Sequence, residues 1–293
     1  MKKHYTQPLD HIEASDCNTL IRLAIEEDAP AGDPTSEAIF DPDRTARADL
    51  VTREDGVFCG ASIAKYLLAE FAAMTGYKIE LIPHLGDGQT FRKGDRLLSL
   101  SGSLRGILRI ERPLLNFVQY LSGISSTVAK AVELAGPNVH VLDTRKTLPG
   151  YRRLAKYAVY CGGGANHRIH LSDMAMIKDN HVQAAGSISE AVRRIRANFP
   201  DLPIDLEIDR LDQLEEALAE KPEVLLLDNM NAEQIRQAVE RIRAVSTEIR
   251  IELSGGWTPE MLQSVADVGP LGVSMGYITH TTRFLDLSLE IRS

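Results

Sequence analysis

The chemistry in this chain concentrates in one stretch. Between Thr144 and His181 stand seven Lys/Arg (Arg145, Lys146, Arg152, Arg153, Lys156, Arg168, Lys178) against two acids, Asp173 and Asp179. The whole chain is acidic, with a formal net charge of -8, so this excess of positive charge is local. A solvated surface face is one reading. An anion site is the other, because glycines and histidines (Gly162-Gly163-Gly164, His167, His181) are interleaved with the cations. Arginine grips a carboxylate through two parallel N–H donors, and lysine acts as a point charge.

Further polar residues recur at one position relative to short apolar runs. The run Val139–Leu142 leads into Asp143-Thr144-Arg145-Lys146, and the run 174–177 into Lys178. The run Ile204–Ile208 carries Glu207 near its end, and 224–227 leads into Asp228. The run 249–253 leads into Ser254-Gly255-Gly256, and 271–275 into Gly276. Glycines after a strand offer unobstructed N–H donors of the kind that hold phosphate; a plain strand-to-helix turn is the simpler reading of the same residues. Glu207 and Asp228 are oxygen donors of the type magnesium prefers, and the scarcity of other acids predicts no metal site without substrate oxygens.

Elements that could position these groups follow from the pattern. Helix-like stretches at 188–199, 211–219 and Ala232–Val245 separate the apolar runs; in the last, Ile235, Ala238, Val239 and Ile242 recur at helical spacing. Strands alternating with helices predict a parallel sheet. Right-handed crossovers close such a series into an α/β barrel, here incomplete, of about six to seven strands. Active sites of such barrels sit at the C-terminal strand ends, where the polar residues fall. Residues 1–112 read differently, as an α+β sandwich domain: strands at 48–51, 78–82 and 96–100, helices at 16–27 and 62–75. Pro113 is expected to open a long helix over 114–134 that stops at Gly136-Pro137. The domain boundary is therefore placed near Arg112, with the catalytic domain over 113–277.

Composition narrows the class. The acidic balance excludes nucleic acid as the main partner. No apolar run is long enough to span a bilayer, and the first residues lack the apolar stretch of a secretory signal. The three widely spaced cysteines suit free thiols in a cytoplasmic protein better than disulfides or a zinc site.

Three motifs carry a resemblance. They are Asp143-Thr-Arg-Lys-Thr-Leu-Pro-Gly-Tyr-Arg152, Cys161-Gly-Gly-Gly-Ala-Asn-His-Arg168 and Met176-Ile-Lys-Asp-Asn-His181. Together they resemble the signature of quinolinate phosphoribosyltransferases. Earlier segments resemble the family too, among them Gly32-Asp33-Pro34-Thr35-Ser36, Thr52-Arg53-Glu54-Asp55-Gly56 and Glu111-Arg112-Pro113. The resemblance implies transfer of the phosphoribosyl group of 5-phosphoribosyl-1-pyrophosphate to quinolinate with loss of carbon dioxide, giving nicotinate mononucleotide. It implies a tail, 278–293, packed back on the N-terminal domain. It also implies a homodimer, or a higher homo-oligomer, with active sites shared between subunits. Arg145, Arg168 and Lys178 match residues that hold the two quinolinate carboxylates, with His167 lining that pocket; a core histidine is the other reading of His167. Thr144 and Lys146 match substrate-contacting neighbours, and Lys146, Lys178, Glu207 and Asp228 are the expected catalytic set. Glu207 and Asp228 match acids facing the ribose hydroxyls and the Mg2+ complex of the donor. Ser254-Gly255-Gly256 and Met275-Gly276-Tyr277 match segments that hold the 5-phosphate, and Arg112 matches an arginine lent by the partner subunit. The chain departs from the family pattern at His170, Asp209 and Trp257. Rivals are a nicotinate-specific transferase, a molybdenum-associated relative and a non-catalytic sensor on the same fold; a third cation in the pocket and the Lys178-Asp-Asn-His181 ending argue against the first two.

Overall fold

The computed structural model describes residues 8–292. The chain folds as two units, one of residues 9–129, 147–163 and 281–292, the other of 130–146 and 164–280. In the first, α1 (Ala14–Asp28) buries Cys17, Ile21 and Ile25, four residues apart, on one face. The short α2 (Pro34–Ile39) starts where Asp33 accepts the N–H groups of Thr35 and Ser36. Strands β1 (Thr45–Thr52) and β2 (Gly56–Val57) precede α3 (Ala61–Thr75), which packs against α1. Then come β3 (Ile79–Pro83), β4 (Thr90–Phe91) and β5 (Arg96–Ser103). The main sheet is antiparallel, ordered C-terminal strand (Leu287–Arg292), β1, β5, β3. Arg47 pairs with Arg292 and Thr52 with Leu287. The tail thus supplies an edge strand, pinned where Arg292 Nε donates to the buried Asp49 carboxylate at 2.7 Å.

The long helix differs from expectation. It is α4 (Leu104–Ala135), and Pro113 lies inside it instead of opening it. Proline in a helix interior forfeits a backbone hydrogen bond. Here Ile107, Ile110, Leu114, Val118 and Leu121, at helical spacing on both sides of Pro113, are all fully buried. Burying each such side chain is worth about 1.5–3 kcal/mol, so packing overrides the local signal. The helix α5 (Arg152–Cys161) completes this unit.

The second unit is a six-stranded parallel sheet. Its strands are β6 (Val139–Leu142), β7 (Ala175–Ile177), β8 (Ile204–Ile208), β9 (Val224–Asp228), β10 (Arg250–Ser254) and β11 (Leu271–Ser274). They are ordered β6-β11-β10-β9-β8-β7. The first strand therefore lies beside the last, as in a barrel, and the gap falls between β6 and β7. A lone parallel bridge from Leu142 to Ala165 lays the 165–168 segment along β6 on that side. Helices α6 (Asp179–Ala185), α7 (Ile188–Asn198), α8 (Leu214–Ala219) and α9 (Ala232–Val245) link successive strands, and α10 (Tyr277–His280) follows β11. A 3-10 turn, Leu211–Gln213, opens the stretch expected as one helix ahead of α8. Another 3-10 helix spans Pro259–Val265, so Ser254-Gly255-Gly256 form a turn well before the next helical residue. Any anion affinity there rests on the turn itself.

Candidate active site

At the C-terminal strand ends of the second unit lies a cavity of about 610 Å³, within the range of small-molecule sites. Side chains one residue apart on a strand face opposite sides, so Asp205 and Glu207 share a face, as do Leu226 and Asp228, Glu252 and Ser254. The register places Ser254 beside Asp228 and Glu252 beside both Leu226 and Gly272.

One wall carries the cations. Asp143, at the end of β6, is fully buried. It accepts the His167 N–H at 2.8 Å and the Asn166 side-chain amide at 2.7 Å. That anchor sets His167 and Arg168 into the cavity. Arg168 is 7% exposed, and its guanidinium donates to the Met174 carbonyl at 2.8 Å. Burial, and then the nearby Arg145 charge, push Arg168 below the usual guanidinium range. Two guanidiniums that repel each other in a half-closed pocket are stabilised when an anion arrives. Arg145 lines the same cavity, and its buried Nε has no hydrogen-bond partner among the described residues.

Beneath them sits a buried triad of His167, Asp205 and Glu252. His167 Nε2 lies 3.1 Å from Glu252 Oε2 and 3.3 Å from Asp205 Oδ2. The Ser274 hydroxyl donates to the other Glu252 oxygen. Burial would depress His167, but the Glu252 and Asp205 charges outweigh it and raise its pKa to about 10. Asp205 is in turn pushed up to about 6, by burial first and then by Glu252. The Arg168 N–H, 2.7 Å from His167 Nδ1, opposes the second ring proton because it needs a lone pair there. One neutral hydrogen bond is worth about 0.5–1.5 kcal/mol and each charge-assisted one about 1.5–3, so the two ion pairs prevail and the ring is an imidazolium.

The other groups line up around the rim. Lys146 is exposed; its N–H is held by Thr144 Oγ1 at 3.0 Å and its carbonyl by Thr279 Oγ1 at 2.7 Å. A Cβ at Gly276 would lie 2.9 Å from Lys146 Cδ, a contact the exposed lysine side chain can relieve by shifting. Tyr277 lines the cavity, whereas Met275 is fully buried and contributes its N–H to the Leu142 carbonyl at 3.0 Å. Lys178, the N-cap of α6, has its backbone N–H bound to His181 Nδ1 at 3.0 Å. Its ammonium is ion-paired to Glu207. Glu207 does not itself line the cavity; it stands behind Lys178, 9% exposed, with burial raising its carboxyl above the usual range and the Lys178 hydrogen bond opposing that. Asp228 faces the cavity and accepts the Asn229 side-chain amide at 2.6 Å. Asn229 has φ +54, a left-handed backbone that Asn tolerates better than most residues. Arg112 lies exposed on α4 in the other unit. Of the departures, His170 and Asp209 are exposed, and Trp257 is buried against the Ser254 turn.

The structure adds residues to this site that the sequence reading left out. Asp143, Asp205, Glu252, Ser274 and Asn229 position the cations or the loops, and His280 lines the cavity with them.

A cavity with clustered cations, a glycine turn and an acid, at the mouth of an open parallel barrel, suits anionic substrates. Comparison with known proteins gives the particular family. Residues 33–122 match the model of the quinolinate phosphoribosyl transferase N-terminal domain, and residues 124–290 that of its C-terminal domain. The chain belongs to the quinolinate phosphoribosyltransferase family. It is 41% identical over 273 residues to a nicotinate-nucleotide pyrophosphorylase [carboxylating] of Mycobacterium leprae, covering 92% of this chain and 95% of that one. A mitochondrial quinolinate phosphoribosyltransferase [decarboxylating] of Nicotiana tabacum is 32% identical, covering 94% and 82%. The solved nicotinate-nucleotide pyrophosphorylase of Francisella tularensis superposes with a TM-score of 0.89 at 33% identity, covering 98% of this chain and all of that one. Among the described residues no helix is long and apolar enough to cross a membrane.

Proposed function

We propose that this chain transfers the phosphoribosyl group of 5-phosphoribosyl-1-pyrophosphate to quinolinate, releasing pyrophosphate and carbon dioxide and forming nicotinate mononucleotide. The observation that carries the reading is the wall of cations, Arg145, Arg168 and Lys178, facing the same cavity as the Ser254–Gly256 turn and Asp228. A dicarboxylate needs several cations, and the buried Arg168 beside Arg145 calls for an anionic partner.

The wall orients the pyridine ring. The Ser254-Gly255-Gly256 turn, with Gly276 and Tyr277, holds the donor's 5-phosphate. As the C1–oxygen bond to pyrophosphate breaks, positive charge develops on the ribose, and Asp228 and Glu207 stabilise it. The quinolinate nitrogen then forms the new bond to C1. Lys146, exposed at the rim, attends the departing pyrophosphate. Loss of carbon dioxide next leaves the bond's electron pair on C2, stabilised by the positively charged ring nitrogen beside it, and a proton from solvent adds there to complete nicotinate mononucleotide; the enzyme's part is to fix the ring. Lys178 bridges Glu207 and the incoming carboxylate. The strand-end carboxylates fit a donor-borne Mg2+, which takes one or two protein oxygens and fills its shell from substrate and water; when bound it neutralises the pyrophosphate. We also place the enzyme in the cytoplasm, on its free thiols, and place Arg112 in the neighbouring subunit's site. The 1–112 and 113–277 division, with 278–293 completing the first part, stays our reading of the domains. The direct test is to incubate the pure protein with quinolinate, the donor and Mg2+. Nicotinate mononucleotide and carbon dioxide in equal amounts support the reading; donor binding without turnover would make the chain a sensor.

A further inference from the structure

We infer that Trp257 is a positioning residue for the donor's phosphate: its indole clamps the Ser254 carbonyl and so keeps the glycine turn open to an anion. This rests on the reading that the turn holds the 5-phosphate.

Trp257 is the only tryptophan in the chain. It lies 6% exposed beside the cavity. Its Nε1–H donates to the Ser254 carbonyl at 3.2 Å, and the backbone N–H of Asn229 donates to the same oxygen at 3.1 Å. That oxygen is the nearest fixed negative dipole of the turn, and left free it would oppose a phosphate. Two donors turn it away and neutralise it. The peptide is planar, so its C=O and the following N–H point in opposite directions. Holding the Ser254 oxygen therefore also aims the Gly255 N–H. Gly255 and Gly256 both have positive φ, +103 and +64, and carry no side chain to shield the turn's N–H groups from an anion.

The clamp also links the two halves of the donor site. Asn229, which shares the Ser254 oxygen with Trp257, binds the Asp228 carboxylate through its side chain at 2.6 Å. The turn for the phosphate and the acid for the ribose are thus tied through one carbonyl. A smaller side chain at 257 would leave Asn229 alone on that oxygen and admit water beside it, which weakens every charge interaction nearby.

The test compares wild-type protein with Trp257→Phe, which keeps the bulk and removes the N–H. Ribose 5-phosphate is titrated calorimetrically, and kinetics are run with each substrate varied. The variant should bind ribose 5-phosphate, and show a donor KM, roughly three- to tenfold weaker, the scale of one net hydrogen bond. Its kcat and quinolinate KM should be unchanged. In wild-type protein the single indole N–H resonance should exchange slowly with solvent and move on adding ribose 5-phosphate but not quinolinate. Wild-type protein that binds no ribose 5-phosphate overturns the phosphate reading itself. If wild-type binds it and Trp257→Phe binds it equally, or the indole N–H exchanges freely, the clamp alone is overturned. A variant that loses kcat and both substrates together also overturns it, since that is a general packing defect.

Discussion

Two neighbouring glycines should respond very differently to alanine. At Gly256 φ is +64, and an added Cβ meets no atom within 4 Å. Its cost is the left-handed backbone alone, about 1–2 kcal/mol. At Gly255 φ is +103, outside the region where side chains are tolerated, and a Cβ would fall 2.8 Å from the Asn229 backbone nitrogen and closer still to its Oδ1. Overpacking of that kind costs about 1–3 kcal/mol, and here it adds to the backbone term. Asn229 cannot retreat without dragging Asp228, whose carboxylate it binds. Gly255→Ala should therefore displace both the turn and the acid, for a total of about 2–5 kcal/mol. Steady-state kinetics with the donor varied should show a loss of kcat/KM of roughly 30- to 4,000-fold, since 1.4 kcal/mol is about tenfold. Gly256→Ala should lose no more than about 10- to 30-fold on the same scale. Quinolinate affinity, measured by calorimetry, should be near normal in both, and a thermal scan separates global unfolding from a local shift. Equal donor kinetics in the two variants would refute the argument, because it derives the difference wholly from the position of Asn229.

Arg145→Ala should weaken quinolinate far more than the donor, by about 1.5–3 kcal/mol for one charge-assisted bond; unchanged calorimetric affinity would remove Arg145 from the substrate wall. Glu207→Gln should lower kcat while quinolinate still binds. Because burial raises the Glu207 carboxyl, the active carboxylate is lost as pH falls through a value above the usual glutamate range, so the acid limb of the wild-type rate profile should flatten in the variant. Glu252→Gln removes one of the acids holding the His167 proton. With the folded value raised to about 10, the imidazolium's contribution to stability is complete below the ordinary histidine value and fades as pH rises through about 10; the variant should lose quinolinate affinity at a lower pH than wild type. Mixing inactive Arg112→Ala with inactive Lys178→Ala under subunit exchange should restore about a quarter of the sites if Arg112 acts across a two-fold dimer, and none if it serves its own subunit.

The strand ends were legible because apolar runs and the polar residues after them are local signals. All six runs became strands, with Val139–Leu142 and Ile204–Ile208 matching residue for residue. The row beneath was not legible. Asp205 lies two positions before Glu207, and Glu252 two before Ser254, so each faces the same way as its recognised neighbour. Inside a buried parallel strand, however, no alternation marks the inward face, and a lone acid in an apolar run has no visible partner. Its partner, His167, comes from another strand's loop. The helix start failed for a related reason: Pro113 is a strong local stop, but Ile107 and Ile110 are buried on the same face as Leu114, a fact of packing that one residue type cannot reveal.

The order of strands has a consequence for how the chain is made. Val139–Leu142 pairs with Leu271–Ser274, and Thr45–Thr52 pairs with Leu287–Arg292. Each of these pairings therefore waits on a strand synthesised more than a hundred residues after its partner. Contacts so distant in sequence make folding slow. During that interval β1 offers an unpaired edge, the kind of surface that recruits other chains. Expression yield should thus depend on how soon Leu287–Arg292 reaches β1, and substitutions that weaken this pairing would lengthen the time that edge stays bare.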